Sequence, residues 1–201
     1  DHINGQYVPN TILWYILILC ELLQKNKINE YLDIATRKIY ESLNFFKKFE
    51  NSDGLLEDLE GWIFVEWSAA NRQDFVCGVN YPTNMLYYKV LQTVAHTFND
   101  GALQCKSEQL KKNILIQSYD GQFFQDNRVR ERGILELKGH ISEACQYFAF
   151  FSGVATRESH KELFNLLLHD FGVFRDQKKV FPEIDGANII TGLLMRLDLL
   201  N

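Results

Sequence analysis

The amino-acid sequence predicts an all-α fold built from helical hairpins. Two kinds of helical segment alternate along the 201 residues, one apolar nearly all round and one apolar on a single stripe. Links from the first kind to the second are short, whereas links back are long. Helices apolar on every side belong inside a bundle and striped helices outside it, so the alternation describes inner and outer helices joined in pairs.

Ile12 to Leu23 is the first inner segment, interrupted by Glu21. It falls short of the ~20 residues that span a bilayer and reads as a helix buried on most sides. Pro9 stands just ahead of it, where a missing N–H is tolerated. Ile28 to Glu50 is the first outer segment, with Tyr31, Leu32, Ala35, Ile39, Leu43, Phe46 and Phe49 on one stripe, and Asn51-Ser52-Asp53-Gly54 stops it. Pro82 precedes the second inner segment, Met85 to Phe98, which is followed by the outer Glu108 to Gln117. Ala144 to Phe151 is the third, with Ser142 placed as its N-cap. The outer Glu158 to Phe171 carries Leu163, Leu167 and Phe171 on its stripe, and Ile189 to Leu200 follows Pro182 as the last inner segment.

About seven main helices make about three and a half hairpins, against about twelve helices in a closed toroid of six. The expected architecture is an incomplete barrel, helical hairpins of an (α/α)6 toroid, with residues 1–201 as a single domain; an open α-solenoid gives a similar pattern. The chain does not begin with methionine and is expected to be a piece of a larger domain, or else to self-associate through its open hairpin ends.

Composition excludes several functions. A formal charge of -5 argues against a nucleic-acid partner, which needs a basic face. The four cysteines form no CxxC pair and read as reduced core thiols, which favours a cytoplasmic location. The five histidines are scattered, so no metal site is expected. There is no P-loop, dinucleotide glycine pattern or nucleophile elbow, so neither a cofactor nor serine hydrolase chemistry is expected, and no segment calls for a membrane.

The long links, 51–84, 118–143 and 172–188, all run ahead of inner segments. Long loops in compact domains concentrate function, so the site is expected at the end where the inner helices begin. Two of these links open on a weak repeat, Ser52-Asp53-Gly54-Leu55-Leu56-Glu57-Asp58 and Tyr119-Asp120-Gly121-Gln122-Phe123-Phe124-Gln125-Asp126.

The first link holds Gly61-Trp62-Ile63-Phe64-Val65-Glu66-Trp67-Ser68-Ala69-Ala70-Asn71. Indole faces beside a carboxylate and an amide suit a sugar-binding wall, with Trp62, Glu66, Trp67 and Asn71 as contacts; a buried connector, with Glu66 balancing Arg72, is the competing reading. Asn80 and Asn84 read as helix caps. In the second link Arg128-Val129-Arg130-Glu131-Arg132 reads as a solvated loop, and Glu143, Gln146 and Tyr147 as either helix-start residues or partners across a cleft. Glu183, Asp185 and Asn188 give the third link a fainter version of the same acid and amide pattern.

The Trp62 to Asn71 string, Val79-Asn80-Tyr81-Pro82-Thr83-Asn84-Met85-Leu86-Tyr87, and Ser142-Glu143-Ala144-Cys145-Gln146-Tyr147-Phe148-Ala149-Phe150 resemble the six-hairpin catalytic domain of bacterial α-L-rhamnosidase-like proteins of glycoside hydrolase family 78. Tyr7-Val8-Pro9-Asn10 and Phe181-Pro182-Glu183-Ile184 extend the resemblance to nearly the whole chain. It implies inverting hydrolysis of terminal α-L-rhamnosides in the complete protein, by an acid and a base ~6.5–9.5 Å apart. It also implies that both catalytic carboxylates lie outside this chain, which would supply the middle of the cleft: Trp62, Glu66 and Trp67 as wall, Glu143 and Gln146 near the mouth. A helical-repeat protein-interaction module and a carbohydrate-binding relative without chemistry are the alternatives.

Overall fold

A computed structural model describes residues 2–3, 6–171 and 184–185. Helix α1 (Pro9–Gln24) takes Pro9 into its first turn and ends at a left-handed Asn26, φ +54°, which lets the Lys27 N–H reach back to the Leu22 carbonyl at 2.9 Å. The Ile28 to Glu50 stretch is divided into a 3-10 turn (Asn29–Tyr31), helix α2 (Leu32–Phe46) and a second 3-10 turn (Lys47–Phe49). Ala35, Ile39, Leu43, Phe46 and Phe49 of its stripe are buried, but Tyr31 and Leu32 at its start are exposed.

A one-turn helix α3 (Gln73–Val76) punctuates the first long link. Helix α4 (Tyr81–Phe98) starts where Asn80 Oδ1 accepts from the Thr83 N–H, and it is buried continuously from Tyr81 to Tyr88. It passes into α5 (Gly101–Ser118) through two residues: Asn99 takes φ +53°, and Asp100 caps α5 by accepting from the Ala102 and Leu103 N–H groups. The second outer helix therefore starts well ahead of the predicted Glu108, because its first turns are exposed and carry little apolar period. Helix α6 (Glu143–Ser152) is capped by Ser142, as expected, and stopped by Gly153 at φ +83°; α7 (Lys161–His169) follows.

The fold is an all-α helical hairpin fold. Helix α4 is its hub, lying against α1, α5 and α6, while α2 covers α1. Helix α7 meets α6 through Phe164 and Phe150, ring centroids 5.6 Å apart. One core runs from Leu13, Ile16 and Ile39 through Met85 and Leu91 to Phe148 and Leu167. Helix α1 departs from the expectation of burial on most sides. It buries the stripe Leu13, Ile16, Cys20 and Leu23, yet Tyr15 and Ile18 are 45% and 54% exposed.

Among the described residues, three small sheets trim the bundle: β1 (His2–Ile3) with β2 (Gln6–Tyr7), then β3 (Val79–Asn80), β4 (Asn127–Glu131) and β5 (Ile134–Leu137) in that order, and β6 (Ile141–Ser142) parallel to β7 (Ile184–Asp185). The Arg128 to Arg132 run is thus a hairpin and not a loop. Arg132 and Gly133, at φ +50° and +86°, supply the two left-handed residues of a tight hairpin turn, and Arg130 forks onto Glu57 at 2.7 and 2.8 Å. The predicted helix Ile189–Leu200, with Pro182, Glu183 and Asn188, lies outside the described residues.

The internal repeat has a physical basis. After α2 the chain folds back so that Leu56 bridges Glu50, and after α5 Phe124 bridges Tyr119. Asn84 accepts from the Leu56 N–H (2.7 Å) and donates to the Leu56 carbonyl (3.0 Å). Gln146 does the same for Phe124, at 2.8 Å in both directions. Each amide also donates to the carbonyl four residues back, Asn80 and Ser142, at 2.9 Å. A buried loop residue outside any sheet needs partners for both backbone groups, and a first-turn amide on the inner helix provides them. Asn84 is therefore a clasp, while Asn80 is the cap.

Candidate functional site

The site segment begins at Gly61, whose φ of +95° and position suit only glycine: a Cβ there would sit 2.3 Å from the Tyr7 carbonyl oxygen. The Trp62 N–H donates to that same oxygen at 2.7 Å. From here the chain is extended and its side chains alternate, with Ile63 and Val65 buried and Trp62 and Phe64 only partly so. Two asparagines hold the middle: Asn10 Oδ1 accepts from the Phe64 N–H (3.0 Å) and Asn71 Oδ1 from the Val65 N–H (2.9 Å). Ser68 then caps a short 3-10 turn, Ala69–Asn71.

This backbone presents three rings together. Phe64 lies 5.3 Å from Trp62 and 4.9 Å from Trp67, and the two indoles are 5.9 Å apart, all edge to face. Trp67 is 70% exposed, whereas Glu66 beside it is 4% exposed. A shallow hollow of about 350 Å³ opens there, lined by Glu66, Trp67, Ser68, Asn71 and Arg72. Glu66, Trp67 and Asn71 thus meet at one hollow, with Trp62 joined to it through the rings. Arg72 also lies over the Phe75 ring at 4.7 Å, and Phe75 stacks on His140 at 4.3 Å. The remaining tryptophan, Trp14, packs on Phe148 and Phe151 away from this cluster.

Glu143 and Gln146 sit differently. Both are buried, at 1% and 0% exposure; Tyr147 donates to Glu143 at 2.6 Å, and the Gln146 amide is committed to Phe124 and Ser142. Sequence reasoning missed Asp126, a fully buried carboxylate that accepts from the Ser142 N–H (2.5 Å) and hydroxyl (2.6 Å) and so anchors the start of α6. Its backbone carbonyl accepts from the Tyr81 N–H at the start of α4. Asn10 donates to Thr83 at 2.9 Å, which ties α1 to the same place. The first turns of α1, α4 and α6 therefore gather at one end, where Trp62 to Asn71 also lies. Ile184–Asp185 pairs there with Ile141–Ser142.

Tyr7, beneath Gly61, has its hydroxyl pushed up to about 12 by burial and by the nearby Glu60 carboxylate. Cys20 and Cys145 are buried in the core as expected, while Cys77 is half-buried and Cys105 exposed; all four are free thiols. Among the described residues there is no group of three or more His, Cys, Asp or Glu side chains that would hold a metal ion, and no helix is long and apolar enough to cross a membrane.

Solved structures share this fold. The chain superposes over 98% of its length on a GH78 family rhamnosidase of Bacillus sp. GL1, with a TM-score of 0.76 and 16% identity. It superposes over 96% on a rhamnosidase from Klebsiella oxytoca with rhamnose bound, at TM-score 0.59 and 18% identity. This is a fold found within rhamnosidases. The chain spans 20% of the first rhamnosidase and 36% of the second. No protein-family model and no curated protein sequence matches it.

Proposed function

We propose that this chain is the sugar-holding central part of an α-L-rhamnosidase-like glycoside hydrolase domain, its hairpins belonging to a larger (α/α)6 toroid. The observation that carries the reading is the exposed Trp67, packed with Phe64 and Trp62, at the lip of a hollow containing the buried Glu66. An indole face gives the C–H side of a pyranose an apolar support, and Glu66 and Asn71 offer hydrogen bonds to its hydroxyls. Glu143 and Gln146 act one step removed in this reading, by fixing the start of α6 and the loop at Phe124. Glu66 is the one carboxylate among the residues lining the hollow. Inverting glycoside hydrolysis needs two. The reading therefore gives this chain binding, and assigns the chemistry of the complete protein to carboxylates elsewhere.

Tryptophan fluorescence titrated with L-rhamnose and with other monosaccharides tests the wall. Wild-type protein should respond to L-rhamnose, Trp67→Ala and Trp62→Ala should respond much less, and Trp14 supplies a constant background in all three. A flat response in folded wild-type protein would sink the proposal. The 201-residue chain should show no substantial turnover of an aryl α-L-rhamnoside. Turnover that vanishes in Glu66→Gln or Glu143→Gln would place a catalytic group inside the chain and overturn the assignment.

A further inference from the structure

We propose that Asn10 is a positioning residue for the aromatic wall, holding Phe64, and with it the two indoles, against the starts of α1 and α4. Asn10 is 3% exposed and sits in the first turn of α1. Its Oδ1 takes the Phe64 N–H at 3.0 Å, and its Nδ2 donates to Thr83 Oγ1 at 2.9 Å. The Thr83 hydroxyl in turn donates at 2.6 Å to Asn80 Oδ1, the cap of α4. One side chain thus ties the wall to two inner helices at once.

What Asn10 holds sets it apart from the other first-turn amides. Asn84 and Gln146 each take both backbone groups of a buried apolar residue, Leu56 or Phe124, and so secure the core. Asn10 instead takes the N–H of Phe64, the ring that touches both Trp62 and Trp67. The segment from Trp62 to Glu66 is not paired into any sheet. Without Asn10, the Phe64 N–H loses a buried acceptor and the extended run loses its link to Thr83. The run would then be held only at its flanks, by Tyr7 at Trp62 and by Asn71 at Val65, so the rings would lose order at Phe64 and regain it when a ligand arrived, and ordering on binding lowers affinity.

The sugar-affinity part of this inference rests on the function proposed above, and the experiment keeps the two separable. Two indoles 5.9 Å apart give an exciton couplet in circular dichroism that needs no ligand. Asn10→Ala should lose most of that couplet, Asn10→Asp, which keeps an acceptor for Phe64, should restore much of it, and Asn84→Ala should destabilise the fold yet leave the couplet intact. Affinity for L-rhamnose should fall about tenfold or more in Asn10→Ala, as expected when two large side chains must be immobilised on binding. Should Asn10→Ala not fold, Asn10→Ser serves in its place. In wild-type protein the Phe64 amide should exchange hydrogen as slowly as a core amide. An unchanged couplet in folded Asn10→Ala or Asn10→Ser, or fast exchange at Phe64 in wild-type protein, overturns the assignment. A lost couplet in a protein whose wild type binds no sugar leaves the positioning standing and removes the sugar reading.

Discussion

Replacing Gln146 by alanine separates a clasp from a ligand contact. The side chain is fully buried and makes three hydrogen bonds, to the Phe124 N–H and carbonyl at 2.8 Å and to the Ser142 carbonyl at 2.9 Å. The Ser142 carbonyl lies at a helix start and keeps a helical partner, so truncation orphans two buried backbone groups, both on Phe124. At about 1–3 kcal/mol each, with a small loss from the vacated methylene, the destabilisation should be about 3–4 kcal/mol. For a domain of this size that lowers the melting temperature by about 6–16 °C. A solvent-facing amide would change stability by no more than about 0.5 kcal/mol. Gln146→Met keeps the volume and removes only the hydrogen bonds, so it should retain most of the effect. Denaturant unfolding followed by far-ultraviolet circular dichroism measures all three proteins. The reasoning fails if Gln146→Ala lies within 0.5 kcal/mol of wild type, and still more plainly if it weakens rhamnose binding without destabilising the fold.

Other expected outcomes follow from single contacts. Gly78→Ala would put a Cβ 2.2 Å from the Arg128 carbonyl at φ +69°, against the pairing of β3 with β4, and should cost about 2–4 kcal/mol in a thermal melt. The Arg130 guanidinium, and then the Asn51 amide, hold the Glu57 carboxyl below its ordinary range. A depressed carboxyl adds stability above its unfolded pKa and loses it as pH falls through the folded value, so Glu57→Gln should flatten the acid limb of a stability-versus-pH curve. Burial, and secondarily Lys111, lower the pKa of His160, which lies between Tyr119 and Phe124. The unfolded chain then binds the extra proton first, so stability should rise with pH from the lowered value up to the ordinary 6.5, and His160→Phe should remove that slope.

The helices were legible because burial imposes a period that survives without any knowledge of partners. Pro9 and Pro82 fall within the first turns of α1 and α4, and Ser142 caps α6, because these are local rules acting within a few residues. The first turns of helix α5 face solvent and carry little apolar period, which hides its start from periodicity; the Asn99-Asp100-Gly101 run, a left-handed residue followed by a cap, is the signal that marks it. The β4–β5 hairpin hid behind arginines. Their charge suggested solvent, while the deciding feature was the Arg132-Gly133 turn, and Arg130 finds its partner Glu57 only in the fold. The candidate site was legible as a cluster of residue types around Trp62 and Trp67. The part of Gln146 was not, because an amide's purpose depends on which backbone folds against it, and Phe124 belongs to another link.

These amides also explain why the candidate site is where it is. Leu56 and Phe124 each have both backbone groups held from an inner helix, so these two residues of the turns that follow α2 and α5 are drawn into the core with their side chains buried. Phe64 is held by its N–H from Asn10 and is half-buried, so the same device leaves its side chain and the neighbouring indoles at the surface. Removing Asn84 or Gln146 should therefore cost stability first, whereas removing Asn10 should cost the order of the wall first. If all three alanine variants lost stability in proportion and none disturbed the indole couplet, the three amides would be equivalent core fasteners. The exposed Trp67 would then owe its position to ring packing and not to the helix starts behind it.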